Sequence, residues 1–197
     1  MKDRPLALVV GAGEGLGEAL MRRFDDAGYK TVGFVRNLDG RDATLDLRSV
    51  DASEPDAMAL NLSALMGECG APKVVVHNPA QLLIKDFSQT TAYEFEACWR
   101  SMCLSAMLLA QNVMEPMVEH GGGSFLVSGA TASIRGGAQF AAFASAKFAL
   151  RGLCQSLART YQPKGVHVAH FLLDGIIDTQ KSRALHGLGD DHMMSAE

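Results

Sequence analysis

Apolar residues follow two alternating patterns along this chain: short continuous runs, and longer stretches in which they return every three or four positions. The runs are bounded by glycine, proline or polar residues and read as strands buried on both faces, while the spaced stretches read as helices that cover them. The first run is LALVV at Leu6–Val10, and a helical pattern over 14–27 follows it with Leu16, Leu20 and Phe24 in step. Gly28 ends that helix, and 31–35 is the second run. Beyond a turn at 37–40, residues 43–45 predict a short third strand. A helix then opens at Ser53, with Glu54 and Asp56 in its first turn, and runs to about Gly67. Residues 74–76 form the fourth strand. Thr91 and Glu94 have the spacing of a capping box, and the periodicity from 95 to 117 predicts one long helix broken near Pro116. A glycine turn at 121–123, a fifth strand at 124–127, the loop SGATASIRGG, a helix over 140–161 and a sixth strand at 166–173 complete the series.

Strands alternating with helices predict an α/β protein: a doubly wound parallel sheet in three layers. At 197 residues and 48% hydrophobic content, residues 1–197 make a single domain. A net charge of -4 and the lack of any basic block argue against nucleic-acid and anionic-membrane partners. No apolar run approaches the roughly 18 residues of a membrane span, and MKDRP leads into the first strand without a signal-peptide core, so a cytoplasmic protein is expected. The cysteines at 69, 98, 103 and 154 lack CxxC spacing and read as free thiols. His167 and His170 fall on opposite faces of a strand, and no metal site is predicted.

The candidate chemistry starts between the first strand and helix. Gly11, Gly15 and Gly17, with Leu16 between the last two, give a G-x3-G-x-G turn. Such a turn lets the backbone approach a pyrophosphate and aims helix N-terminal amides at it. Arg36 closes the second strand, where an acidic residue would hold a ribose 2′-hydroxyl and an arginine accommodates a 2′-phosphate. It favours NADP(H) over NAD(H), the other reading being a solvated strand-end arginine. Glu14 opposes two nearby phosphates unless it points to solvent. Asp46, after the predicted third strand, suits an adenine amino group or a turn. His77-Asn78-Pro79-Ala80 leaves the sheet at its carboxyl edge, where ligands bind in open α/β folds. The alanines at 141, 142, 144, 146 and 149 give a smooth helix face that another helix can approach closely, as in a dimer.

Taken together, five features resemble the short-chain dehydrogenase/reductases over nearly the whole chain. They are the glycine turn, Asp46, HNPA at 77–80 in place of the family's NNAG, FAAFASAKFAL around Lys147, and DGIIDT at 174–179 in place of PG-x-I-x-T. The resemblance implies a Rossmann fold with strand order 3-2-1-4-5-6, NAD(P)(H) bound across the carboxyl edge, oxidoreduction of a small-molecule alcohol or carbonyl, and a homodimer or homotetramer. It implies cofactor contacts at Gly11, Gly15, Leu16, Gly17, Arg36, Asp46, Asn78, Ala80, Lys147, Gly175, Ile177 and Thr179. The family's catalytic Asn, Ser, Tyr and Lys fall on Met102, Ala130, Phe143 and Lys147, so only the lysine is kept; the wider spacing of some enoyl reductases falls on Phe140. Replacement hydroxyls are Ser128, Thr131 and Ser133, and Asp174 is the new carboxylate nearby. Two readings stay open: a divergent oxidoreductase built on Lys147 with Ser128 and Thr131, and an inactive cofactor-binding sensor or partner subunit. The family's seventh strand is missing, which reads as a C-terminal truncation.

Overall fold

The computed structural model describes residues 4–186 and 193–196. Strands β1 (Leu6–Val10), β2 (Lys30–Val35), β3 (Leu47–Ser49), β4 (Val74–His77), β5 (Gly123–Ala130) and β6 (Val166–Leu173) form one sheet. Its order is β3-β2-β1-β4-β5-β6 and every pairing is parallel. All five residues of β1 are buried, because both faces of the sheet are covered at its centre. Helix α1 (Leu16–Asp26) packs Met21, Leu20 and Phe24 on the face that carries Ala7, Val9 and Val76. The opposite face, with Leu8, Val10, Val75 and Val127, is covered by α2 (Pro55–Cys69), α4 (Ser105–Glu119) and α5 (Ala141–Tyr161). This is the doubly wound arrangement expected from the alternation. A separate two-stranded sheet pairs β7 (Ile176–Ile177) with β8 (Met193–Met194), and α6 (Gln180–His186) follows β7. Among the described residues, no helix is long and apolar enough to cross a membrane.

Three elements differ from the sequence reading. The third strand lies at 47–49, not 43–45. Residues 42–44 are taken up by a turn in which Thr44 donates through both N (2.8 Å) and Oγ1 (2.7 Å) to Asp42 Oδ1, so β3 begins where Leu47 comes into register with Gly33. Pro116 does not break the long helix. The capping box at Thr91 and Glu94 starts α3 (Ala92–Trp99), and a π turn at Arg100–Leu104 joins it to α4, which continues past Pro116 to Glu119. A π turn carries one residue more than an α turn and rotates the following face. Cys98 and Met102 therefore pack on α5, while Ala106, Leu109 and Val113 pack on the sheet. The alanine face of α5 is also used inside the chain. Ala142 and Ala146 are buried with Cys98, Met102 and Phe143, and the small side chains let α3 and the π turn approach α5 closely.

Candidate active site

The carboxyl edge of the sheet brings together three segments that are far apart in sequence. The turn after β1 is tied to the end of β2, since Gly11 N (2.9 Å) and Ala12 N (3.2 Å) both donate to Phe34 O. Asn78 Nδ2 donates to Gly11 O (3.1 Å), which fastens the loop after β4 to the same turn. A Cβ on Gly11 would stand 2.7 Å from Pro79 N, and one on Gly17 would stand 2.4 Å from Gly11 O. Gly15 has φ +87°, and a Cβ there would lie 2.6 Å from Thr179 Cγ2 and 3.2 Å from Ile177 Cγ2. Each glycine is thus required by a different neighbour, and Gly11 (φ +82°) and Gly15 also by their positive φ. Gly11, Gly15, Leu16, Gly17, Asn78, Ile177 and Thr179 meet at one place, with Ala80 one residue beyond Pro79 and Arg36 at the end of β2. Gly175 is held against Met194, whose Sδ would be 2.5 Å from a Cβ there.

Asp46 does not join this group. It precedes β3 and its carbonyl accepts from Gly33 N (2.8 Å), so it sits at the amino end of that strand, away from the turn. The carboxylate at the carboxyl end is Asp51, whose Oδ1 accepts from Ser53 N (2.9 Å) and Oγ (2.7 Å). Burial pushes its carboxyl up, but those bonds and the charges of Arg36 and Arg100 outweigh burial and hold it below its ordinary value. The Glu14 carboxylate is engaged elsewhere: its Oε1 accepts from Gln180 N (2.9 Å) at the start of α6.

On the other side of the edge, Lys147 is 2% exposed and its Nζ donates to Ser128 O (2.9 Å). Burial lowers its pKa to about 8. Phe143 precedes it by one helical turn, with the ring centroid 5.8 Å from Nζ. Ser128 is buried and its hydroxyl donates to His77 O (3.3 Å), while Ser133 accepts from Ala130 N (3.1 Å) and lies 3.4 Å from His170 Nε2. Thr131 remains at the rim, where its hydroxyl donates to the Asp174 carboxylate across the ends of β5 and β6.

His77 is the functional-edge residue that sequence reasoning passed over, and its only signal was a polar residue ending the run VVVH. It is fully buried. Ser105 Oγ gives its one proton to Ser101 O (2.6 Å), so it accepts from His77 Nε2 at 2.7 Å. The ring is therefore assigned as the neutral Nε2–H tautomer, and Nδ1 is buried without a hydrogen-bond partner among the described residues. Burial, followed by the charge of Lys147, lowers its pKa to about 3. Among the described residues, no three His, Cys, Asp or Glu side chains gather as metal ligands.

Comparison with known proteins agrees with this geometry. The family model described as short chain dehydrogenase matches residues 5–186. A short-chain dehydrogenase/reductase of Armillaria gallica is 28% identical over 181 residues, covering 84% of this chain and 69% of that protein. The 3-oxoacyl-[acyl-carrier-protein] reductase FabG of Escherichia coli K12 is 25% identical over 187 residues, covering 91% and 76%. Among solved structures, a short-chain dehydrogenase from Rhodopseudomonas palustris superposes with a TM-score of 0.79 at 29% identity, covering 97% of this chain and 95% of that one. With the sheet order, the glycine turn and a match over nearly its whole length, the chain belongs to the short-chain dehydrogenase family of oxidoreductases.

Proposed function

We propose that this chain binds NADP(H) across the carboxyl edge of its sheet and is a divergent oxidoreductase in which Lys147 is kept while Ala130 and Phe143 stand at the family's serine and tyrosine positions. The observation that carries this reading is the convergence of the glycine turn, the 78–80 loop and the 177–179 loop on one edge, with the Lys147 ammonium buried beside it. The residues fit such a group. The turn has no room for a Cβ at Gly11, Gly15 or Gly17, and Lys147 spends a single N–H on Ser128 O, leaving donors for a ribose. Bound there, the nicotinamide supplies or accepts a hydride.

What the chain adds is proton handling at the rim. Ser128 has its hydroxyl committed inside the sheet, so the pair Thr131–Asp174 is the better acceptor for the proton or hydrogen bond of a substrate hydroxyl. Asp174 accepts from Thr131 and so fixes the hydroxyl with its lone pairs outward. The substrate is a small molecule and the location cytoplasmic. The competing reading, a sensor or partner subunit without turnover, is supported by Phe143, a side chain with no ionisable group packed among Cys98, Met102 and Ala146.

NADPH is expected to bind more tightly than NADH, because the Arg36 guanidinium can pair with a 2′-phosphate. Titration by cofactor fluorescence checks this, and equal affinities, or an unchanged preference in Arg36→Asp, would refute the assignment. We further infer a homodimer or homotetramer through α3 and α5. Their outer faces carry Tyr93 (81% exposed), Phe148 (46%) and Trp99 (40%), large apolar side chains that association would cover. Sedimentation should show an oligomer at micromolar concentration that Phe148→Glu dissociates; a monomeric wild type, or an unchanged mass in the variant, would refute it.

A further inference from the structure

We propose that Arg41, on the segment between β2 and β3, is a specificity-determining residue that holds the phosphate monoester on an adenosine 2′-oxygen together with Arg36. This inference rests on the proposed NADP(H) binding and assigns it a residue that the glycine motif and the strand-end arginine do not reveal. Arg41 closes the turn after β2, its N donating to Leu38 O (3.2 Å). Its guanidinium covers the glycine turn, with Nη2 3.7 Å and Cζ 3.9 Å from where a Cβ on Gly13 would stand. At 3.7 Å such a Cβ would be in ordinary contact, so Gly13 is not forced by crowding; its lack of a side chain leaves this side of the turn open to the guanidinium. The same turn is bonded to β2 through Phe34 O, two residues before Arg36. Arg41 and Arg36 therefore border one corner, where the glycine turn meets the end of β2.

The second observation is that Arg41 has donors to spare. Other arginines of this half of the chain make close ion pairs: Arg48 lies 2.7 Å from Glu68, and Arg22 and Arg4 contact Asp42 and Asp25 directly. The ion pair of Arg41 is with Glu18 at 3.6 Å, beyond hydrogen-bonding distance, and its Nε is buried with no partner among the described residues. A guanidinium presents five N–H groups in a fixed fork, and a phosphate monoester offers three oxygens and nearly two negative charges to match it. The hydroxyl of an unphosphorylated ribose brings no charge to this corner, so the contribution of Arg41 falls on the 2′-phosphate alone.

Calorimetric titration with adenosine 2′,5′-bisphosphate and with 5′-AMP isolates this corner from the nicotinamide side. Wild type is expected to favour the bisphosphate. Arg41→Met, which keeps the apolar stem, should weaken the bisphosphate by roughly 10- to 100-fold, as for loss of a charge-assisted hydrogen bond, and leave 5′-AMP within about twofold. Arg41→Lys should lie between the two. A bisphosphate preference that survives Arg41→Met but is lost in Arg36→Met overturns the role of Arg41 and leaves NADP(H) binding intact. Equal weakening of both ligands by Arg41→Met overturns it as well, by making Arg41 a brace for the turn. No preference in the wild type refutes the NADP(H) assignment itself, and this inference with it.

Discussion

Installing a phenol at position 143 and a hydroxyl at position 130, as Phe143→Tyr with Ala130→Ser, is expected to raise NADPH-dependent reduction of simple ketones by about 10²- to 10⁴-fold. That range is the usual contribution of one positioned acid/base group, and the structure supplies what such a group needs. Phe143 lies one turn before Lys147 on α5, and the ammonium 5.8 Å from its ring would stabilise a phenolate. Wild type should show little turnover by comparison in a cofactor-absorbance assay. Robust wild-type reduction of a ketone that is insensitive to replacing Phe143 would contradict the expectation and require a different proton donor.

The second large effect is on stability, and it comes from two buried bases. Folded His77 takes up a proton only near pH 3, whereas the unfolded residue does so near 6.5. Between those values the unfolded chain binds more protons, so stability rises with pH; the contribution is complete above 6.5 and lost as pH falls towards 3. At about 1.4 kcal/mol per unit, this amounts to roughly 4–5 kcal/mol across the window. Lys147 has the same sign at higher pH. Its folded pKa of about 8 lies below the unfolded 10.5, so stability rises again between those values, by about 3 kcal/mol. Urea unfolding against pH measures both. Asp42 and Glu94, each held near 2, also lose stability in acid, so the informative quantity is wild type minus variant. The difference between wild type and His77→Asn should rise with pH between about 3 and 6.5, and that between wild type and Lys147→Met between about 8 and 10.5; parallel wild-type and variant curves would show that neither base is desolvated as described.

Much of this was legible in the residues, for reasons that differ by element. β1 and β4 were readable because short apolar runs are what strands buried on both faces require, and the glycine turn because its backbone demands are local. The third strand was misplaced because three residues carry no period, and Leu47 is recruited by register with Gly33 rather than by its own run. That error put Asp46 at the carboxyl edge in place of Asp51. The π turn was invisible for a related reason: it is selected by the packing of Cys98 and Met102 on α5, not by any local breaker, whereas Pro116 is a local breaker that α4 accommodates in its last turn. The alanine face was read correctly as a close-approach surface, but periodicity does not say whether the approaching helix belongs to the same chain. Asn78 and Thr179 were found through motifs. The burial of His77, which the sequence shows only as the first residue of the 77–80 motif, and the reach of Arg41 were not legible, because both depend on segments that only the fold brings together.

The carboxyl edge is proposed to hold a phosphorylated dinucleotide through the glycine turn and Lys147. Fluorescence titration of NADPH and NADH into wild type and Lys147→Met tests it most directly. The predicted result is saturable binding by wild type, tighter for NADPH, and clearly weakened in Lys147→Met while the variant stays folded. Absence of saturable binding by the folded wild type, or binding of both cofactors that Lys147→Met leaves unchanged, would contradict it.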